Sequence, residues 1–143
     1  MNTVKQVLER KGYEVWTIDA DATVIDAIAE MAEKGVGALV VVEGARVVGL
    51  VSEREYARSV ALAGRSSRDT TVRDIMLSRV PTVALDTEIN VCMALMTQHR
   101  IRHLPVMDGD ELVGLVSIGD LVAAVIADQR QIIEHLEQYI ATG

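Results

Sequence analysis

Apolar and polar positions recur in a fixed order along the chain. Val15-Trp16-Thr17-Ile18 predicts a short strand. Asp21 precedes a predicted helix over 23–34, with Val24, Ile28, Met31 and Ala32 on one face at helical spacing. Gly35 and Gly37 end it, where a left-handed residue is often required. Ala38 to Val42 is a continuous β-prone run, as in a buried strand. Glu43-Gly44 marks a turn, and Arg46 to Val51 a further strand. Ser52 is placed to cap a helix running from Glu53 to about Ala63.

The same order returns 65 positions later. Thr17 falls on Thr82, Asp21 on Asp86, Met31 on Met96 and Leu39 on Leu104, and Val48-Gly49-Leu50-Val51-Ser52 falls on Val113-Gly114-Leu115-Val116-Ser117. Thr17–Tyr56 against Thr82–Leu121 gives 12 identities in 40 without a gap. The second half therefore predicts a strand at Thr82-Val83 and a helix over Glu88–His99 with Ile89, Met93 and Met96 inward. Strands follow at His103–Met107 and Glu111–Val116, around the turn Asp108-Gly109-Asp110, and Ser117 caps a last helix. Each half reads β-α-β-β-α, an α/β fold. Two copies are too few for a solenoid, so they are expected to pack face to face about a pseudo-two-fold axis.

Three segments lie outside the repeat. Residues 1–14 form an N-terminal arm with a short amphipathic helix from Thr3 to Arg10, and 65–79 a polar linker with a short helix at Val72 to Met76. The repeats then occupy 15–64 and 80–127, and 128–143 extends the last helix to about Ile140. Ile118, Leu121, Val122, Val125, Ile132, Ile133, Leu136 and Ile140 form an apolar stripe along it. A stripe that outlasts the fold's own core points to self-association, and a homodimer is expected.

Composition narrows the function. The 143 residues carry a net charge of −7, which argues against a nucleic-acid binder. The start has no apolar stretch of the secretory kind, and the longest apolar run, Leu121 to Ala127, is far short of the roughly 20 residues a membrane helix needs. A soluble cytoplasmic protein is expected. There is no Gly-x-Ser-x-Gly elbow and no phosphate loop, and His99, His103 and His135 lack metal-ligand spacing with carboxylates. The single cysteine, Cys92, reads as a core thiol. Nothing assembles a base, a nucleophile and an electrophile, so no enzyme and no metal site are expected.

Binding groups are better represented. Each half ends its last strand in a Ser with an acid three residues on, Ser52 with Glu55 and Ser117 with Asp120. Such a corner offers a hydroxyl and free helix N–H groups to a phosphate. A carboxylate one turn in can accept both hydroxyls of a ribose. A plain helix cap also accounts for one occurrence, but recurrence in both halves favours a site. Cations gather there too: Arg54 and Arg58 after the first Ser, and His99, Arg100, Arg102 and His103 before the strand of the second half.

These residues resemble a tandem pair of CBS domains, a Bateman module of the bacterial two-CBS type. The resemblance rests on Val47 to Arg58 in the first copy, on His99 to Val106 and Leu112 to Leu121 in the second, and on Val72-Arg73-Asp74-Ile75-Met76 between them. It implies a non-catalytic sensor whose clefts between the copies hold an adenosine ligand: AMP, ADP, ATP, NAD(H) or S-adenosylmethionine. One cleft would combine Ser117, Gly119 and Asp120 with Thr17, Ile18 and Ala38. There Asp120 would hold the ribose, Ser117 with His103 or Arg102 the phosphate, and backbone near Ile18 and Ala38 the adenine edge. The other would combine Ser52, Arg54, Glu55 and Arg58 with Thr82, Val83 and the segment near His103 and Pro105. Glu55 departs from the family's usual Asp, which ranks the Asp120 cleft first. The resemblance also implies a disc-shaped homodimer. The alternative is an interaction homodimer with empty clefts that binds a protein partner.

Overall fold

The computed structural model describes residues 2–142. In chain order its elements are α1 (Val4–Lys11), β1 (Thr17–Asp19), α2 (Val24–Lys34), β2 (Ala38–Glu43), β3 (Arg46–Ser52), α3 (Glu53–Tyr56), α4 (Val72–Ile75), β4 (Leu77–Ser78), α5 (Ile89–His99), β5 (His103–Asp108), β6 (Glu111–Ser117) and α6 (Ile118–Thr142). They fall into two compact units. The first-repeat unit comprises Glu14–Pro81 and Gly109–Val113; the second-repeat unit comprises the chain up to Tyr13, Thr82–Asp108, and the chain from Gly114 on.

In the first-repeat unit the sheet order is β1-β2-β3-β4, with β1 parallel to β2 and the other pairs antiparallel. Thr23 caps α2, its hydroxyl accepting the Asp26 N–H at 3.3 Å, and Gly35 closes it at φ 67°. Val24, Ala27 and Met31 form the buried stripe of α2. Ala32, expected inward, is exposed, because Ala27 supplies the i+3 position between Val24 and Met31. Ala20, Leu39, Val41, Val51, Val60, Val72 and Ile75 complete this core. The helix expected to run regularly to Ala63 instead widens after Tyr56 into a π turn, Ala57–Ala61, where the Leu62 N–H donates to the Ala57 carbonyl at 2.9 Å.

The second-repeat unit buries the corresponding positions. Ile89, Cys92 and Met96 of α5 stand 65 residues after Val24, Ala27 and Met31, so Cys92 rather than Met93 takes the fully buried place. The strand expected at Thr82-Val83 shrinks to an isolated parallel bridge, Val83 with Val106. Its cause is Pro105. In the first repeat the Val40 N–H donates to the Trp16 carbonyl at 3.0 Å; Pro105 stands in Val40's place and has no N–H to give.

The arm and the linker are not loose. The Val4 and Lys5 N–H groups donate to Thr87 and Leu85 carbonyls, each at 2.9 Å, so α1 lies against the second repeat. The Val72 and Arg73 N–H groups donate to Ala22 and Ala20 carbonyls, each at 2.9 Å, so α4 lies against the first. The acceptors are 65 residues apart and the donors 68: Thr3-Val4-Lys5 and Thr71-Val72-Arg73 are a duplicated docking segment. Val4, Val7 and Leu8 of α1 are buried, each contributing about 2 kcal/mol.

The repeated glycine of Val-Gly-Leu has its reason here. A Cβ on Gly49 would lie 2.4 Å from the Leu77 carbonyl oxygen, and one on Gly114 2.8 Å from Leu8 Cδ1. Each strand stays bare where its docked segment crosses. Gly49→Ala is expected to cost about 1–3 kcal/mol, because the obstacle is backbone. A urea midpoint followed by circular dichroism should fall; an unmoved midpoint would show that β4 does not need this close approach.

Candidate functional site

The first-repeat unit builds one Ser–acid corner. Ala38 and Ser52 face each other in the β2–β3 register, and Thr17 and Ile18 flank them on β1, paired with Val40 and Val41. The Glu53 N–H donates to the Gly37 carbonyl at 3.0 Å. Ser52 Oγ accepts the Arg54 N–H at 3.2 Å and donates to Glu55 Oε1 at 2.7 Å, while the Ser52 N–H donates to the same oxygen at 2.9 Å. Glu55 thus closes a capping box over the start of α3. Arg58 stands exposed on the π turn.

The second-repeat unit builds the matching corner with different chemistry. Ser117 Oγ accepts the Asp120 N–H at 3.1 Å, and the Ser117 N–H donates to Asp120 Oδ2 at 2.8 Å. The Ile118 N–H donates to the Arg102 carbonyl at 2.9 Å, which sets Arg102 and His103 beside the corner. The Val83 N–H donates to the Pro105 carbonyl at 3.0 Å, which draws Thr82 and Val83 to the same strand. Gly119 is exposed on the first turn of α6. His99 and Arg100 lie at the end of α5, where Arg100 adopts the left-handed conformation at φ 55° that Gly35 takes in the first repeat. Of the expected residues, Thr17, Ile18, Ala38, Ser52, Arg54, Glu55 and Arg58 therefore belong to one unit. Thr82, Val83, Arg102, His103, Pro105, Ser117, Gly119 and Asp120 belong to the other.

One residue of this corner lay outside the sequence reading. Lys11, at the end of α1, donates from Nζ to Asp120 Oδ2 at 2.7 Å and to the Leu115 carbonyl at 2.8 Å. The signal was present in the duplicated docking segment, which ties α1 to the second repeat rather than to the first.

A family model described as CBS domain matches residues 4–62 and 72–127. The chain belongs to the CBS-domain family. The mitochondrial CBS domain-containing protein CBSX3 of Arabidopsis thaliana is 40% identical over 151 residues, covering 99% of this chain and 73% of that protein. A solved CBS-domain protein of Burkholderia ambifaria is 52% identical with a TM-score of 0.84, covering 90% of this chain and 96% of that one. The CBS pair of protein MJ0100, solved in complex with 5′-methylthioadenosine and S-adenosyl-L-methionine, shares the fold at a TM-score of 0.76 and 20% identity. CBS-domain proteins are typically regulatory modules rather than catalysts. No helix among the described residues is long and apolar enough to cross a membrane, and no group of three or more His, Cys, Asp or Glu among them could hold a metal ion.

Charge distinguishes the second CBS corner. Burial pushes the Asp120 carboxyl up, but the Lys11 hydrogen bond and the Ser117 N–H and hydroxyl outweigh it, holding the group below its ordinary value. Burial, then Lys11 and Arg102, press His103 below its ordinary value, with Asp120 opposing. Burial raises the Cys92 thiol to about 11, which leaves it protonated in the core.

Both site shifts carry the same sign. A lowered folded value means that the unfolded chain takes up the proton first as pH falls. The His103 contribution is thus complete above about pH 6.5 and is lost below it; that of Asp120 is lost only in the acid range, below about pH 3.9. The urea midpoint should drop between pH 7.5 and 5.5, and His103→Gln should flatten that drop. Equal slopes for the two proteins would rule out His103 as its source.

Proposed function

We propose that this CBS pair is a non-catalytic sensor of adenosine-containing nucleotides, such as AMP, ADP, ATP or NAD(H). One observation carries the reading: the Ser–acid corner occurs twice, and in the second-repeat unit its ionised carboxylate sits among Lys11, Arg102 and His103. Asp120 accepts the ribose hydroxyls, while Ser117 with His103 or Arg102 takes the phosphate. Ser52, Arg54, Glu55 and Arg58 form the weaker counterpart, since Glu55 stands where the family usually has Asp and folds back on Ser52. That MJ0100 holds adenosine compounds indicates what this fold accommodates. Binding shifts the balance between conformations of the pair and so alters a surface offered to another protein.

Asp120→Ala is expected to weaken AMP binding at least about tenfold by calorimetry, the loss of a charged hydrogen bond. Unchanged affinity would remove Asp120 from the site. A 260 nm excess in extensively washed protein would report retained nucleotide.

A second reading, self-association through α6, has its own observation. Beyond Ala127 every described residue of α6 is exposed. Ile132, Ile133, Leu136, Tyr139 and Ile140 are 54–75% exposed. Val122, Val125, Ile132, Leu136 and Tyr139 follow a 3.5-residue period, interrupted only by Gln129. Such a seam fits a partner helix, and a homodimer satisfies it with one chain. Replacing Ile132 and Leu136 together by Glu should shift the sedimentation mass from dimer to monomer and leave the circular dichroism spectrum helical. A monomeric unmodified protein would sink this reading alone.

A further inference from the structure

Lys11 is held where it is by its helix. Val4, Val7 and Leu8 bury one face of α1, and an antiparallel bridge from Thr3 to Glu88 fixes its start. The last turn then delivers the ammonium to the corner between β6 and α6. Its two contacts, Asp120 Oδ2 and the Leu115 carbonyl, use two of three donors. Oδ2 also accepts the Ser117 N–H, so this one oxygen carries both bonds. The side chains are 34% exposed for Lys11 and 22% for Asp120. The pair is thus partly withdrawn from water.

A ribose diol that engages both oxygens of Asp120 competes with Lys11 for Oδ2. The displaced ammonium is then left near Arg102, whose charge already presses on His103 together with that of Lys11. Separating a half-buried pair is costly unless a new anion replaces the old one. A ligand with a phosphate on its ribose supplies that anion. A neutral 5′-thioether does not, and a sulfonium brings a further positive charge.

We infer that Lys11 is the charge-selecting residue of the Asp120 site, favouring adenosine ligands that carry a 5′-phosphate over neutral or cationic ones. This rests on the adenosine reading above and names the ligand class. The lysine acts as a counter-ion in exchange: to Asp120 when the site is empty, to the ligand's phosphate when it is filled.

The test is calorimetry of the full chain with AMP, 5′-methylthioadenosine and S-adenosylmethionine, for the unmodified protein, Lys11→Met and Lys11→Arg. The unmodified protein should bind AMP more tightly than either uncharged or cationic compound. Lys11→Met should weaken AMP about tenfold, leave 5′-methylthioadenosine unchanged or tighter, and so erase the preference; Lys11→Arg should keep it. Unaltered AMP affinity in Lys11→Met would overturn the inference, as would an equal loss for AMP and 5′-methylthioadenosine. If the unmodified protein binds none of the three, the adenosine reading itself fails and takes this inference with it. Binding of all three without a Lys11 effect defeats only the charge-selecting role. Thermal unfolding of each variant checks that the fold is kept.

Discussion

Lys11 and Arg73 reach their places through a pair of backbone hydrogen bonds made twice. In each unit a Thr-Val segment donates two successive N–H groups to the carbonyls that precede the repeat's first helix. The segment is not the one that a linear reading of the chain assigns to that repeat. The bonds are between peptide groups, so they do not depend on side-chain identity, and the bare glycines Gly49 and Gly114 leave the room they need. Once this docking is made, α1 belongs to the second repeat and α4 to the first, and their charged residues arrive at fixed places.

Those charged residues do different work. In the first-repeat unit, Arg73 ion-pairs with Asp21 at 3.1 Å and with Glu43, and the Glu43 and Asp21 hydrogen bonds raise its already high value. The arginine ties α4 to the loop before α2 and to the end of β2. Arg73 and Asp21 are exposed and Glu43 is partly so, so the link contributes orientation more than stability. In the second-repeat unit the charge at the end of α1 reaches a carboxylate that also begins a long helix. Lys11 thereby couples the N-terminal segment to the corner that carries the functional reading.

Duplication preserved the scaffold and let the two corners diverge. Pro105 in place of Val40 removes one ladder bond and reduces a strand to a bridge. His103 in place of Ala38 introduces a titratable ring beside the Ser, and Asp120 in place of Glu55 shortens the acid. The longer Glu55 folds back on Ser52 and takes both its N–H and its hydroxyl on one oxygen, whereas Asp120 shares its oxygen with a lysine. One corner therefore satisfies itself, and the other holds a separable ion pair.

The sequence by itself determined the repeat, the β-α-β-β-α order, the caps at Ser52 and Ser117 and the family, because these rest on local periodicity and on turn chemistry within a few residues. It also marked most residues of both corners. Tertiary structure alone decided the rest. Which repeat α1 and α4 would join is set by hydrogen bonds between residues about 50 to 83 positions apart, out of reach of any pattern within one element. The partial exposure of Met93 and the choice of Ala27 over Ala32 were settled by which side of each helix faced the sheet, a matter of tens of degrees that spacing leaves open. Lys11 on Asp120 joins residues 109 apart in sequence, and only the folded chain brings their charges within reach of each other.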